Sequence, residues 1–217
     1  MTSRSMTATL FTVLLSIVPV LSFAGDDKHV LKYSVTMDGK KIGSSEAVIE
    51  ETGEGMVVTF GMKADVDVFG HVLKISTKQK HEFDAGGDLE KFAVAREGPM
   101  GKRKVKGKRM GDGGYEITHK QNGKPKTTTI APDEFDFHSA DRRLFEGEVG
   151  SKYEYAVLVL GLGEVREVKV KILDREKRTV KGEQVDVVHF KAWGMEGSAM
   201  EEWRTEHGVL VKSIIKN

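Results

Sequence analysis

The chain contains no cysteine, and this absence excludes several classes of chemistry. Without a thiol the protein forms no disulfide, offers no thiolate nucleophile or thiolate metal ligand, and carries no lipidated cysteine. An Asn-x-Ser/Thr sequon is absent as well. Since small exported domains of animals are commonly rich in disulfides, the two absences favour a bacterial periplasm if the chain is exported.

Long apolar runs are also scarce, and the most extended one lies near the amino terminus. Arg4 precedes an apolar run from Leu10 to Leu21, and Ser22 and Ala24 are small residues at the positions that a signal peptidase reads. The run is shorter than the roughly 20 residues that cross a bilayer as a helix. We therefore expect residues 1–24 to be a cleaved signal peptide, which leaves a periplasmic or secreted protein with no transmembrane segment.

Net charge is nearly absent. Removal of residues 1–24 takes away Arg4 and no acidic residue, which leaves 33 basic and 33 acidic residues. This balance lacks the basic excess that drives nucleic-acid binding through phosphate neutralisation. We expect no nucleic-acid partner, and any electrostatic partner has to meet a local patch.

Alternation of apolar and polar residues dominates after Gly25. It is clearest from Met56 to Val68, where every second residue is apolar. A strand places such residues on one face, and the short Gly-, Asn- and Asp-rich turns between these runs join antiparallel neighbours. The sequence predicts an all-β fold, an antiparallel meander of about 11 to 13 strands that forms a barrel-like or two-layer curved sheet.

One segment departs from this alternation. Residues Ser139 to Glu146 are typical of a short helix, with Ser139 as a candidate N-cap and Gly147 as the stop. The segment follows a break at residues 131–133. We expect residues 25–217 to form a single β domain, or two β halves that share one core and meet near this break.

A basic segment is the first candidate site. Six of the eight residues from 102 to 109 are cationic: Lys102, Arg103, Lys104, Lys106, Lys108 and Arg109. An extended segment charged on both faces predicts a hairpin arm, an edge strand or the lining of a polar lumen, with no residue in the core. Two interpretations stay open: the segment binds phosphorylated envelope polymers or lipid headgroups, or it is an edge strand that lysines protect against aggregation.

An apolar run from Tyr155 to Leu162 is the second candidate site. A strand that is apolar on both faces is buried on both, or lies against an apolar ligand on one of them. A packed core and a ligand cavity are both consistent with this composition, and a cavity would be lined or backed by Tyr155, Trp193 and Trp203.

Other groups of reactive residues lack the spacing that their chemistry requires. The acids and the histidine between residues 133 and 141 do not match a calcium loop, and no His-Glu-x-x-His or Gly-x-Ser-x-Gly pattern occurs. Segment 202–207 precedes a turn in a hairpin, which sends neighbouring side chains to opposite faces. We expect no metal and no cofactor, and we favour a protein without enzymatic activity.

Four segments resemble a bacterial family of exported, all-β periplasmic proteins known only as domains of unknown function. They are Tyr33–Gly43, Phe135–Arg143, Val180–Val185 and Glu202–Val211. The resemblance implies an envelope location and an antiparallel β architecture, and it brings no catalytic residues. A more distant likeness to half-open β-barrel lipoprotein carriers implies lipid binding by analogy of fold alone.

Three functional hypotheses follow. The first is a periplasmic protein that binds an apolar or amphiphilic envelope component, with the basic segment in contact with an anionic headgroup. The second is a non-enzymatic envelope scaffold or interaction protein with a solid core. A cavity of at least a few hundred Å³ separates these two. The third is a hydrolase or other enzyme whose site is assembled from distant strands.

Overall fold

The structure is a computed structural model that describes residues 28–37, 40–68, 70–99, 101–121, 125–136, 139–180, 182–195, 198–205 and 210–216. The expected signal peptide and its cleavage site lie outside these residues. The described chain contains thirteen strands in two sheets, one short α-helix and one 3-10 turn. The prediction of an all-β antiparallel meander with a single short helix is confirmed.

Two compact units make up the chain, and each is described by itself. The eight-strand unit comprises the described residues up to Phe135 together with Leu158–Val165. Its sheet contains, in spatial order, β1 (Lys28–Met37), β2 (Lys40–Thr52), β3 (Gly55–Val68), β4 (His71–Asp84), β5 (Leu89–Gly98), β6 (Gly101–Arg109), β7 (Tyr115–Gln121) and β8 (Lys126–Ile130). Spatial order follows chain order because each strand pairs with the next through a short connection.

The alternation in β3 defines the two faces of this sheet. Five alternate residues from Val58 to Val66 are at most 8% exposed, and they mark what we call the inner face. Their polar neighbours Thr59, Lys63 and Asp65 are exposed on the opposite, outer face. The period of two therefore assigns each side chain of the sheet to the core or to the outer face.

The five-strand unit comprises residues 136–157 and the described residues from Arg166 onward. It contains α1 (Ser139–Glu146), and its sheet is built from β9 (Lys152–Val159), β10 (Glu164–Val180), β11 (Glu183–Met195), β12 (Ser198–Thr205) and β13 (Leu210–Lys216). These strands also neighbour one another in chain order. One sheet face carries a buried apolar cluster: Leu144, Val168, Val170, Ile172, Val188, Phe190, Ala192 and Met200.

Helix α1 occupies the segment that the sequence predicts, and β10 holds its carboxyl end. The backbone N–H of Gly147 donates to the carbonyl of Arg143 at 3.0 Å. The guanidinium of Arg175 donates to the carbonyls of Leu144, Phe145 and Gly147 at 3.2, 2.6 and 2.7 Å. These bonds satisfy carbonyl groups that the last turn of a helix leaves without intrahelical partners.

The position of the basic segment corrects the sequence interpretation. Strand β6 pairs with β5 on one side and with β7 on the other, so the segment is neither an edge strand nor a projecting arm. The expectation that it holds no core residue is also wrong, because Val105 is 1% exposed on the inner face and Gly107 is buried beside it. Between Lys104 and Lys108 the alternate positions are the small or apolar residues Val105 and Gly107, so this middle part of the strand is charged on its outer face only.

Candidate binding surface

The lysines of β6 all lie on the outer face of the eight-strand unit. Lys102, Lys104, Lys106 and Lys108 are exposed, as their shared even numbering and the period of a strand require. Lys102 forms an ion pair with Glu97 at 3.0 Å. The other three ammonium groups have no ion pair with any residue that the structure describes. Half of the cationic run is therefore available to a partner.

Neighbouring strands extend this cationic surface. The register places Lys104 directly between Ala95 of β5 and Lys120 of β7. It places Lys108 directly opposite Lys91 of β5. Like charges in directly opposed positions repel one another, so β6 carries two unfavourable cross-strand neighbours on this face.

Strand β4 supplies a second row of lysines. Lys78 lies opposite Ala95, and Lys80 lies opposite Ala93, so each alanine separates one lysine of β4 from one of β6. We call seven exposed residues of β4–β7 the lysine face: Lys78, Lys80, Lys91, Lys104, Lys106, Lys108 and Lys120. The rows on β4 and β6 are two strand spacings, about 10 Å, apart, and successive lysines along β6 are about 7 Å apart at the backbone.

Two acidic residues lie beside the lysine face, Glu82 and Glu116. Glu116 of β7 is exposed and lies directly opposite Lys108 in the register, although it is not within ion-pair distance of it. Glu82 accepts a hydrogen bond from Lys80 at 2.7 Å and lies 3.6 Å from Lys91. The hydrogen bond from Lys80 is the main cause that lowers the pKa of Glu82. For Lys78 and Lys120, as for the three lysines of β6, the described part of the chain provides no carboxylate within ion-pair distance.

The two arginines of the basic segment are engaged elsewhere in the unit. Arg103 points to the inner side, where its Nη2 donates to the carbonyl of Leu162 at 2.8 Å. Arg109 lies among three carboxylates, with Asp88 at 2.6 Å, Glu90 at 3.5 Å and Asp84 at 3.6 Å. Burial by itself would lower the pKa of Arg109, but the hydrogen bond to Asp88 and the nearby charges raise it. Both side chains stabilise the unit rather than extend the lysine face.

Trp203 of the five-strand unit is covered by its neighbours. It is 5% exposed, and its Nε1 donates to Glu176 at 2.7 Å. The ring of His189 stacks on it with a centroid separation of 3.9 Å. The guanidinium carbon of Arg178 and the ammonium of Lys212 lie 4.9 and 4.8 Å from the indole centroid. Cations over an indole face stabilise such a cluster, so these contacts account for the burial of Trp203.

The structure does not bring Tyr155 together with the two tryptophans. Tyr155 is half-buried against the apolar cluster that contains Phe190 and Ala192. Along β11, Trp193 and His189 occupy odd-numbered positions, which face away from Phe190 and Ala192. Trp203 of β12 lies directly opposite His189. Both tryptophans therefore lie on the other face of the sheet from Tyr155.

The remaining reactive residues serve local structure. The carboxylate of Glu134 accepts a hydrogen bond from the backbone N–H of Ala131 at 2.8 Å, which caps the 3-10 turn Pro132–Glu134. His138 and His207 lie outside the described residues. Among the side chains that the structure describes, no three His, Asp or Glu residues are grouped so as to hold a metal ion. No helix in the described ranges has both the length and the apolar character needed to cross a membrane.

Sequence reasoning missed the lysines that β4, β5 and β7 contribute. A run of charge along the chain is visible in the sequence, whereas the lysine face is assembled across strands by their register. A detectable signal exists, because lysines recur two residues apart at Lys78 and Lys80 and again at Lys104, Lys106 and Lys108. Period-two lysines in nearby predicted strands indicate a shared cationic face.

Comparisons with known proteins support this architecture. The model of a domain of unknown function, DUF6134, matches residues 33–217. No curated protein matches the chain. The crystal structure of a β-barrel-like protein of the domain of unknown function DUF1849 from Brucella abortus is similar, with 13% identity, coverage of 87% of this chain and 90% of that chain, and a TM-score of 0.57.

A second solved structure, a DUF1089 family protein from Pseudomonas aeruginosa, shows 18% identity over 83% of this chain and 94% of that chain, with a TM-score of 0.42. The likeness to the Brucella protein concerns the fold alone and agrees with the all-β architecture. The resemblance to an all-β family of unknown function is thus confirmed. Because the family match extends over residues 33–217, the chain belongs to the DUF6134 family.

Proposed function

We propose that this protein is an exported, non-enzymatic binding protein that attaches to an anionic component of the bacterial envelope through its lysine face. The observation that carries the proposal is the concentration of seven exposed lysines on one face of β4–β7. A surface of one charge sign raises the local concentration of oppositely charged partners and accelerates their association.

The unfavourable cross-strand pairs strengthen this argument. Lys104 opposes Lys120 and has Ala95 on its other side, so no carboxylate faces it across either strand. Lys91 opposes Lys108, with Glu82 and Glu116 opposite their other sides. An anionic partner would relieve the repulsion in both lysine pairs when it binds.

A cavity lined by Tyr155, Trp193 and Trp203 is less well supported as a ligand site. Trp203 is covered by the side chains around it, and Tyr155 lies on the other sheet face from both tryptophans. We therefore assign the contact with an amphiphilic envelope component to its anionic headgroup. In this proposal the partner meets the protein at the lysine face rather than in an apolar cavity.

Retention on an immobilised polyanion tests the proposal. The wild-type protein should bind polyphosphate-coated resin at about 50 mM salt and elute as salt rises, since exposed charges are screened. The double variant Lys104→Glu/Lys106→Glu should elute at clearly lower salt. The matched control is Lys28→Glu/Lys32→Glu, which makes the same change in net charge on the outer face of β1.

Lys28 and Lys32 form ion pairs with Glu50 at 2.6 Å and with Glu46 at 3.8 Å. The control therefore changes lysines whose charge a carboxylate of the same sheet already balances. The control should elute close to wild type. If the wild-type protein fails to bind, or if both double variants shift elution equally, the lysine face is not the binding surface.

Export is tested separately. The protein recovered from a bacterial periplasm should begin at Gly25, and a mass that still includes residues 1–24 would contradict export by a cleaved signal peptide.

A further inference from the structure

We infer that the anionic partner is the surface of a bilayer rich in anionic phospholipid, against which the eight-strand unit lies with its lysine face. The inference rests on the proposed function and narrows its partner from any anionic component to a membrane. Three features of the face lead to it: its two-dimensional layout, its choice of lysine over arginine, and the side chains between the lysines.

The lysines are arranged in two directions. Lys104, Lys106 and Lys108 follow one another along β6, whereas Lys78, Lys104 and Lys120 form a row across β4, β6 and β7. With about 7 Å between successive positions along a strand and about 5 Å between strands, the charges cover an area rather than a line. A single polyanionic strand would meet only one row at a time, while a plane of headgroups meets all of them.

Every cation of the face is a lysine. The arginines of β6 have their guanidinium groups bound within the unit, Arg103 by Leu162 and Arg109 by Asp88. A guanidinium offers a rigid fork that grips one phosphate in a fixed geometry, whereas an ammonium on a flexible stem acts as a mobile point charge. Mobile point charges suit diffusing headgroups, because attraction does not depend on the orientation of any one of them.

The outer face of β4–β7 presents no aromatic side chain among the described residues. Tyr115 and Ile117 of β7 are buried on the inner side, and Ala93 and Ala95 occupy the space between the lysine rows. An aromatic platform for stacking single-stranded bases is therefore missing from this surface. The exposed Val72 at the start of β4 lies six residues before Lys78, so no large apolar group of the described residues stands among the lysines to insert into acyl chains. The attachment is peripheral, electrostatic and reversible by salt.

Ala93 and Ala95, which we call the alanine strip, separate the two rows of lysines, and a substitution there changes the charge of the face without removing a lysine. Ala95 lies directly between Lys78 and Lys104 in the register. A glutamate at this position would place a carboxylate within reach of both ammonium groups without removing either lysine. Each lysine near an anionic leaflet strengthens partition about fivefold, and one carboxylate offsets the charge of one lysine, so Ala95→Glu should weaken partition about fivefold.

Vesicle flotation with the protein purified from a bacterial periplasm tests this inference. The probes are vesicles of phosphatidylcholine alone and vesicles that contain about one third phosphatidylglycerol. Wild-type protein should float only with the anionic vesicles. Ala95→Glu should lose most of that binding, the uncharged control Ala95→Gln should retain it, and Ala95→Lys should increase it. Lys104→Gln/Lys106→Gln provides an independent variant if Ala95→Glu does not fold.

The two proposals fail in different ways. Protein that binds the polyphosphate resin through the lysine face but ignores anionic vesicles would overturn the membrane inference and leave the proposed function intact, with a polyanionic polymer as the partner. Protein that binds neither would overturn both. Equal loss of vesicle binding in the glutamate and glutamine variants of Ala95 would show that charge at the strip is not the cause, and would also overturn the inference.

Discussion

Replacement of Arg204 by methionine should destabilise the five-strand unit by about 3–5 kcal/mol, because it removes the guanidinium that is paired with the buried carboxylate of Glu202. Glu202 is fully buried, and Arg204 is 5% exposed. The two residues are two positions apart on β12 and therefore share a face. Both the Nη2 and the Nε of Arg204 lie near the same carboxylate oxygen, at 2.6 and 2.8 Å.

The surroundings of this ion pair are largely apolar. The guanidinium carbon of Arg204 lies 5.7 Å from the ring centroid of Phe190, and Phe190 and Met200 belong to the buried cluster on the same sheet face. In such surroundings the attraction between two charges roughly offsets the cost of desolvating both. Removal of both charges in Glu202→Leu/Arg204→Met should therefore cost less than the single change at Arg204. The coupling energy of the double-mutant cycle should exceed about 2 kcal/mol.

Urea unfolding followed by tryptophan fluorescence measures this effect selectively. The chain has two tryptophans, and both lie in the five-strand unit. Trp203 is next in sequence to both members of the ion pair, so its fluorescence reports on their surroundings. A loss of less than about 1 kcal/mol in Arg204→Met, or a double variant whose loss equals the sum of the single losses, would refute the reasoning.

Two further perturbations concern the eight-strand unit. Burial lowers the pKa of His81 from its ordinary value of 6.5 to about 4. The unfolded chain therefore takes up a proton between these pH values that the folded chain does not. Stability should therefore fall by about 3 kcal/mol as pH drops through this window. Urea midpoints followed by circular dichroism should show that His81→Gln flattens this dependence, and a dependence as steep as that of the wild-type protein would contradict the assignment to His81. Gly107→Ala should lower the free energy of unfolding by about 1–3 kcal/mol, because the new Cβ would overlap the ring of Phe92. In thermal melts the control Gly61→Ala should change stability little, since a Cβ at that position meets nothing within 4 Å. An equal loss of stability in both variants would contradict the steric cause.

Local patterns explain the parts of the fold that the sequence predicts well. The alternation from Met56 to Val68 depends on no distant residue, so it predicts strand β3 and its buried face directly. The helix at Ser139–Glu146 is marked by its flanking residues in the same way. An alternation of period two, or a glycine at the end of a helix, depends on a few neighbouring residues only, so it can be recognised from the sequence.

Features that depend on which strands pair, and in which register, could not be predicted from local patterns. From charge on both faces, the sequence predicts a hairpin arm, an edge strand or the lining of a polar lumen for the basic segment, and no residue of it in the core. This prediction does not anticipate that Arg103 binds a backbone carbonyl 59 positions away. The same limit applies to Trp203, whose indole N–H donates to Glu176, 27 positions earlier in the chain. Such partners are selected by the register of the sheet, and composition alone does not reveal them.

The outer face of the eight-strand unit uses two different charge arrangements at its two ends. Across β1 and β2, Lys28 opposes Glu50 and Lys32 opposes Glu46, so the pairing is complementary. Across β4–β7 complementary pairs occur as well, Glu82 with Lys91, Glu97 with Lys102 and Glu116 with Lys108. Lysine also opposes lysine there at two places, which does not happen across β1 and β2. A sheet optimised only for stability would use complementary pairs throughout, since opposed like charges are destabilising. The five-strand unit also has a pair of opposed lysines, Lys171 and Lys191. In the eight-strand unit both such pairs on the outer face lie within β5–β7, beside the other residues of the lysine face, as a binding surface for a negatively charged partner requires.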